Sequence, residues 1–192
     1  MRNPRRRHEI AEAMRLQDRR RFLPPEVAED HDRDRPVPIG HGQTNSQPST
    51  VAAMLDLLEP FPGMRVLDVG SGSGWTSAIL GELGGPDSRV FAVERIPELV
   101  ERSRDAIDQP WVEVHQAEPD VLGLPHLAPF DRILVSAMAE QPPAPLIAQL
   151  TDGGILVAPW ADTMHRVRRT GEEIETTEHG GYTFVPLVHT RF

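Results

Sequence analysis

The stretch MRVLDVGSGSGW, residues 64–75, decides the fold. Its first half is a short apolar run with β-branched residues, the mark of a strand buried on both faces. Its second half sets Gly70, Gly72 and Gly74 between that strand and a helix expected over 73–83, which Gly84 and Gly85 end. Further on, RVFAVE (89–94), WVEVH (111–115), FDRILVS (130–136) and GILVAPW (154–160) repeat the apolar signature. Between them, Pro97 opens a helix lined by Leu99, Val100 and Ile107, and PPAPLIAQL (142–150) forms another. Strands and helices in this alternation predict a doubly wound α/β fold, a parallel sheet covered on both faces. After Trp160, MHRVRRT, EEIETTE and YTFVPLV alternate in polarity and are expected as antiparallel strands.

A glycine-rich turn after the first such strand is where a nucleotide-type ligand sits in a doubly wound sheet. Glycine lets the backbone approach the ligand, with no Cβ in the way. The spacing here is G-x-G-x-G, which suits a phosphate-free adenosyl-methionine tail better than a pyrophosphate. Glu94 ends the second strand, 20 residues after Gly74, where a carboxylate can accept from both hydroxyls of a ribose. Asp68 either holds the ligand's ammonium group or fastens the turn by bonding its N–H groups. Glu118, just after the third strand, either bonds the adenine amine or is a solvated loop acid. Trp75 and Trp111 are expected in core packing.

Before the turn the chain reads differently. Ile10, Ala13, Met14 and Leu16 recur at helical spacing and predict a helix over 8–20. Residues 22–48 are rich in proline and glycine and read as a long loop, either functional or disordered. Ser49 or Thr50 then caps a helix carrying Val51, Met54, Leu55 and Leu58, closed by Pro60 and Pro62. Two segments are expected: an N-terminal helical one, 1–21, and a main domain, 22–192.

Composition removes several chemistries. All 20 basic residues of the 192 are arginine and there is no cysteine, so thiolate zinc sites, disulfides, cysteine nucleophiles and lysine Schiff bases are excluded. The histidines, His189 included, show no metal-ligand spacing, and no metal is expected. A net charge of −9 argues against nucleic acid as a partner. The arginines of residues 1–35 alternate with acids and read as a solvated helix face. No apolar run is long enough for a membrane span and no secretory signal is recognisable, so a cytoplasmic protein is expected.

Several runs together resemble one family. PIGHGQTNSQP (38–48) resembles a substrate loop of the pattern G-x-Q-T-I-S-x-P, and VLDVGSGSGW (66–75) a cofactor turn. VERIPELVE (93–101), APFDRILVSAMAEQPPAPLIAQLTDGGILVAP (128–159) and FVPL (184–187) extend the match. The chain resembles the protein-L-isoaspartate (D-aspartate) O-methyltransferases, within the class I S-adenosylmethionine-dependent methyltransferases. That resemblance implies a Rossmann-like sheet, mostly parallel with antiparallel C-terminal strands. It implies S-adenosyl-L-methionine as cofactor and S-adenosyl-L-homocysteine as product. The acceptor it implies is a peptide or unfolded protein bearing isoaspartate, methylated by a monomeric enzyme.

Carried over by position, the resemblance makes Ser46 the active-site hydroxyl in a substrate loop spanning 36–48. His41, Gln43, Thr44 and Gln47 would contact the acceptor. Thr44, Asn45, Ser46, Asp68, Gly70, Ser71, Gly72 and Gly74 would contact the cofactor; Glu94 and Arg95 would flank its ribose, with Ala117 and Glu118 near adenine. An isoaspartyl carboxylate is ionised at neutral pH and needs no general base, so His41 is read as structural or acceptor-positioning. For a hydroxyl or amine acceptor it would become the leading base. Two departures from the pattern are Asn45, in place of isoleucine, and Ala117-Glu118-Pro119, in place of Gly-Asp-Gly. They motivate two alternatives: methylation of an aspartate in one specific peptide to form aspartimide, and a non-catalytic cofactor-binding module.

Overall fold

Residues 65–69 form β3 (Arg65–Val69), and successive side chains feed opposite faces of the sheet. Val66 joins the core on one face; Leu67 and Val69 join the core on the other. The computed structural model describes residues 3–188. The outer tips of the two expected segments (1–2 and 189–192), and His189, lie outside them.

The element order around β3 is α1 (Pro4–Leu16), β1 (Val37–Gly40), β2 (Gln43–Asn45) and α2 (Pro48–Leu58) before it. After it come α3 (Trp75–Gly84), β4 (Arg89–Glu94), α4 (Pro97–Ala106), β5 (Val112–Gln116), β6 (Phe130–Val135), α5 (Ala144–Ile147), β7 (Leu150–Trp160), β8 (Thr163–Thr170) and β9 (Glu173–Gly181). One sheet runs β5-β4-β3-β6-β7-β8-β9. Its first five strands are parallel; β8 and β9 are antiparallel. This is the expected doubly wound class I architecture. The chain moves outward from β3 to β5, then returns to β6 beside β3, so the switch point lies between the C-terminal ends of β3 and β6.

Several elements differ from expectation for local reasons. Helix α1 starts at Pro4, not at residue 8, because the Asn3 side chain accepts from the Arg5 N–H at 3.1 Å and proline suits the first helical position. It ends at Leu16, which is exposed, and a 3-10 turn (Arg19–Phe22) follows. Neither Ser49 nor Thr50 caps α2. Its N-cap position is Gln47, whose side chain makes no cap bond, and the Asp34 carboxylate accepts from the Ser49 N–H at 2.8 Å instead. Helix α5 is a single turn, with Pro142 and Pro143 before it and Pro145 inside it. The last expected strand, 182–188, is not a strand. It pairs with the segment that follows β6 through one isolated parallel bridge, Met138 to Pro186, where Met138 N–H donates to the Val185 carbonyl at 2.8 Å. No helix among the described residues is long and apolar enough to cross a membrane.

The expected 22–48 loop holds the hairpin β1–β2, with His41 at φ 54° between Gly40 and Gly42 in its turn. Val37 and Ile39 on one face of β1 pack with Leu23, Ile96 and Leu99. The hairpin is thereby fixed against α4, beside the glycine turn.

Candidate functional site

Gly70, Gly72 and Gly74 have φ of 76°, 57° and 88°, so every second residue of the turn is left-handed. L side chains rarely adopt this conformation, which explains the G-x-G-x-G spacing. The three glycines face different things. Gly70 and Gly72 line a cavity of about 560 Å3 at the switch point. A Cβ on Gly74 would instead stand 2.8 Å from Ser103 Cβ and 2.9 Å from Ile107 Cδ1, so this glycine lets α4 pack on the turn. Gly74 lines neither the cavity nor the niche beside it.

Glu94 is buried, with 6% of its surface exposed, at the end of β4. Its Oε2 accepts from the Gly72 N–H at 2.9 Å, and its Oε1 from the Arg95 and Ile96 N–H groups at 2.8 and 2.9 Å. The carboxylate therefore ties the turn to the start of α4 as well as lining the cavity. Arg95, Ala117 and Glu118 line the same cavity, as do Gln43 and Thr44 from the hairpin. The segment carrying Glu118 is held from below by Gln149, whose Oε1 accepts from Leu124 N–H at 2.9 Å and whose Nε2 donates to Leu122 O at 2.8 Å.

Beside the cavity lies a niche of about 20 Å3 whose hydroxyls come from Thr44, Ser46, Ser71, Ser73, Thr76 and Ser136. Thr44, Gly70, Gly72 and Ser136 border both spaces. Ser71 Oγ is buried there with no hydrogen-bond partner. Asn45 lines the niche and is 5% exposed. No lining residue of the niche titrates near neutral pH.

Besides Gly74, three expected contacts stand apart. His41 is exposed at the hairpin tip and borders neither space. Gln47 donates to Asp34 Oδ2 at 3.1 Å. The Ser49 and Gln47 hydrogen bonds hold the Asp34 carboxyl below its usual range. Asp68 is fully buried beneath the turn, accepting from Ser77 Oγ at 2.6 Å and Ser136 Oγ at 3.5 Å. Neither reading of Asp68 matches: it bonds hydroxyls, not turn N–H groups, and it borders no cavity. Trp75 and Trp111 do pack as expected, their Nε1–H groups donating to Gln17 O and Gly81 O at 2.8 and 3.0 Å.

Burial pushes the Asp68 carboxyl up to about 6, the hydroxyl bonds offsetting only part of the effect. Its folded value lies above the unfolded one of about 3.9, so its contribution to stability is fully present below pH 4 and is lost as pH rises through about 6. Asp68→Asn is therefore expected to gain stability relative to the parent between pH 4 and 7, by on the order of 2 kcal/mol. Denaturant melts of both proteins at pH 4.5 and 7.5 check this.

Sequence reading missed Ser136, Ala137 and the segment Val185–Val188, all of which line the cavity. Ser136 was recoverable, because it follows the strand beside the switch point. Val185–Val188 was not, since only its bridge to Met138 brings it there. A wider groove of about 870 Å3 lies between α1, α2 and the β8–β9 hairpin. It holds none of the expected site residues. Among the described residues no group of three or more His, Asp or Glu side chains could hold a metal.

The sequence profile of the protein-L-isoaspartate (D-aspartate) O-methyltransferases matches residues 1–191. A protein-L-isoaspartate O-methyltransferase of Aeropyrum pernix is 50% identical over 154 residues, covering 78% of this chain; the chain spans 59% of that relative. One of Methanopyrus kandleri is 42% identical, covering 95% of this chain and 84% of its own. Among solved structures, a Plasmodium falciparum protein-L-isoaspartate O-methyltransferase in complex with S-adenosyl-L-homocysteine superimposes with a TM-score of 0.83 at 26% identity, over 95% of this chain and 91% of its own. The chain belongs to the protein-L-isoaspartate (D-aspartate) O-methyltransferase family.

Proposed function

We propose that this protein transfers a methyl group from S-adenosyl-L-methionine to the free carboxylate of L-isoaspartyl residues in damaged peptides and proteins, the first step of their repair. Its residues fit that cofactor. Gly70 and Gly72 leave the turn open to it, the buried Glu94 carboxylate faces the cavity, and Ser71 Oγ is an unpaired donor. Gly70, Gly72, Glu94, Arg95, Ala117 and Glu118 would hold its nucleoside side, and Thr44, Asn45, Ser46 and Ser71 its amino-acid side. Asp68 and Gly74 would support the turn from behind.

The observation that carries the choice of acceptor is the niche: six hydroxyl side chains border it, and no base. A hydroxyl or amine acceptor would need a proton removed, and His41, the leading base expected for such an acceptor, borders neither space. A carboxylate with a pKa of about 3.5 arrives already ionised. Bound S-adenosylmethionine supplies an electrophilic methyl group on a positive sulfonium. The task of Ser46 is to donate a hydrogen bond that aims one carboxylate oxygen, and Thr44, at the shared border, helps orient it. Gln43 and Thr44 of the hairpin and Val185–Val188 line the cavity, and their closing over the bound ligands would exclude water and strengthen the charge interactions inside. The proposed setting is the cytoplasm, with the enzyme a monomer and nucleic acid no partner; the charge of −9 supports the last point.

Ser46→Ala tests the reading. A hydrogen bond to a charged group contributes about 1.5–3 kcal/mol, so kcat/KM for an isoaspartyl peptide is expected to fall roughly 10- to 150-fold. Affinity for S-adenosylhomocysteine, measured by calorimetry, is expected to fall much less than kcat/KM, because Ser46 is one of four residues on that side of the cofactor. An unchanged kcat/KM would remove Ser46 from the proposal.

A further inference from the structure

Arg19 is a cation that the chemistry above does not use. It follows α1 in the 3-10 turn and is only 3% exposed. Its hydrogen bonds go to neutral oxygens. Nε donates to Asn45 Oδ1 at 2.7 Å, Nη1 to Arg33 O at 2.9 Å, and Nη2 to Arg35 O, Ser46 O and Asn45 O at 2.8, 2.9 and 3.2 Å. The guanidinium also lies over the Trp75 ring, 5.3 Å from its centroid. Removal from water pushes its pKa down to about 10, and Asp34 and Asp30 only partly oppose that.

A buried cation with no carboxylate in its hydrogen-bond set is costly, and an apolar residue of similar volume would pack at least as stably. What an apolar residue could not do is gather carbonyls from two separate segments into one plane. Arginine can, because its donors form a rigid fork. The segments are 33–35 and 45–46, the second carrying Ser46. Asn45 extends the connection, since its Nδ2 donates to Ser73 Oγ at 3.1 Å. Ser73 is 2% exposed and lies in the glycine turn. An unbroken path thus runs from Arg19 through Asn45 to the turn that lines the cavity.

We infer that Arg19 and Asn45 are positioning residues: Arg19 fixes the main chain at Ser46, and Asn45 fastens that segment to Ser73, so the Ser46 hydroxyl and the cofactor turn share one frame. The path also gives Asn45 a role, because an isoleucine there could neither accept from Arg19 nor donate to Ser73. This inference rests on the methyltransferase reading.

The test is a double-mutant cycle in the full-length protein: parent, Asn45→Leu, Ser73→Ala and the pair, assayed well below the lowest Tm. With an isoaspartyl peptide, Asn45→Leu is expected to lower kcat/KM at least tenfold and Ser73→Ala several-fold. The pair is expected to be no worse than Asn45→Leu by more than about twofold, because both break one link. Arg19→Ala is expected to regain activity when millimolar guanidinium is added, which a general loss of packing would not allow. If Arg19→Ala fails to fold, the cycle still decides, since it leaves the cation in place. Additive losses, or an unchanged kcat/KM in folded Asn45→Leu, overturn the inference. No turnover by the parent would instead count against the methyltransferase reading. Amide exchange at residues 44–46 then decides the inference, being expected to quicken at least tenfold in Asn45→Leu; no change overturns it.

Discussion

Glu94→Ala is expected to lower thermal stability and to abolish measurable cofactor binding together. The carboxylate accepts from Gly72, Arg95 and Ile96 N–H groups, and alanine leaves all three without that partner. An unsatisfied buried donor costs about 1–3 kcal/mol. Arg95 is exposed and can turn to water, so the loss is on the order of 2–5 kcal/mol, or roughly 5–15 °C in Tm for a domain of this size. Cofactor affinity is expected to fall at least 100-fold, because the ribose acceptor and the turn it braces are lost at once. Glu94→Gln is expected to fall between parent and alanine, since its amide NH2 must face a backbone donor on one side. Calorimetry and thermal melts of the three proteins check the order. If Glu94 only read the ribose, binding would drop while Tm stayed put.

Gly70→Val is expected to fold and to lose cofactor affinity by at least 100-fold. Gly70 has φ 76° and borders both the cavity and the niche. A β-branched residue at positive φ is an outlier that costs on the order of 1–3 kcal/mol. An added Cβ would still find ordinary contact, 3.5 Å from Ala137 Cβ, so the chain tolerates it while the cradle fills. Gly63→Val is the control. Gly63 has φ 80° in the turn before β3 and nothing within 4 Å of an added Cβ. It is expected to lose similar stability and to keep its affinity. Equal losses of affinity in both variants would mean that strain, not occupancy of the cradle, is responsible.

Strands β3, β4, β6 and β7 were legible because each feeds both cores and carries its own apolar signal; RVFAVE coincides with β4 residue for residue. The glycine turn and Glu94 were legible for a related reason: their spacing follows from the strand–turn–helix geometry itself. What stayed hidden depends on contacts distant in sequence. The hairpin β1–β2 has two prolines and two glycines within 36–42, which read as loop, and its stability comes from Val37 and Ile39 packing on Leu23, Ile96 and Leu99. Arg19 sits among arginines and acids that read as solvated, and nothing local sets it apart from Arg20 or Arg21. Only the fold brings segments 33–35 and 45–46 around it. Gly74 misled for the opposite reason. It shares the motif of Gly70 and Gly72, but its space is needed by Ser103 and Ile107 of the α4 region. Asp68 was readable as a ligand contact or as a fastener of the turn; that its partners are the Ser77 and Ser136 hydroxyls depends on the fold.

The central claim is that this site methylates a carboxylate that damage has created. The direct measurement is transfer of labelled methyl from S-adenosylmethionine to a short peptide carrying L-isoaspartate, beside the same peptide carrying normal aspartate. Incorporation into the isoaspartyl peptide is expected at a rate at least 100-fold above that for its aspartyl twin, in a base-labile ester. Equal incorporation into both peptides, or none into either while S-adenosylhomocysteine binds tightly, would contradict it.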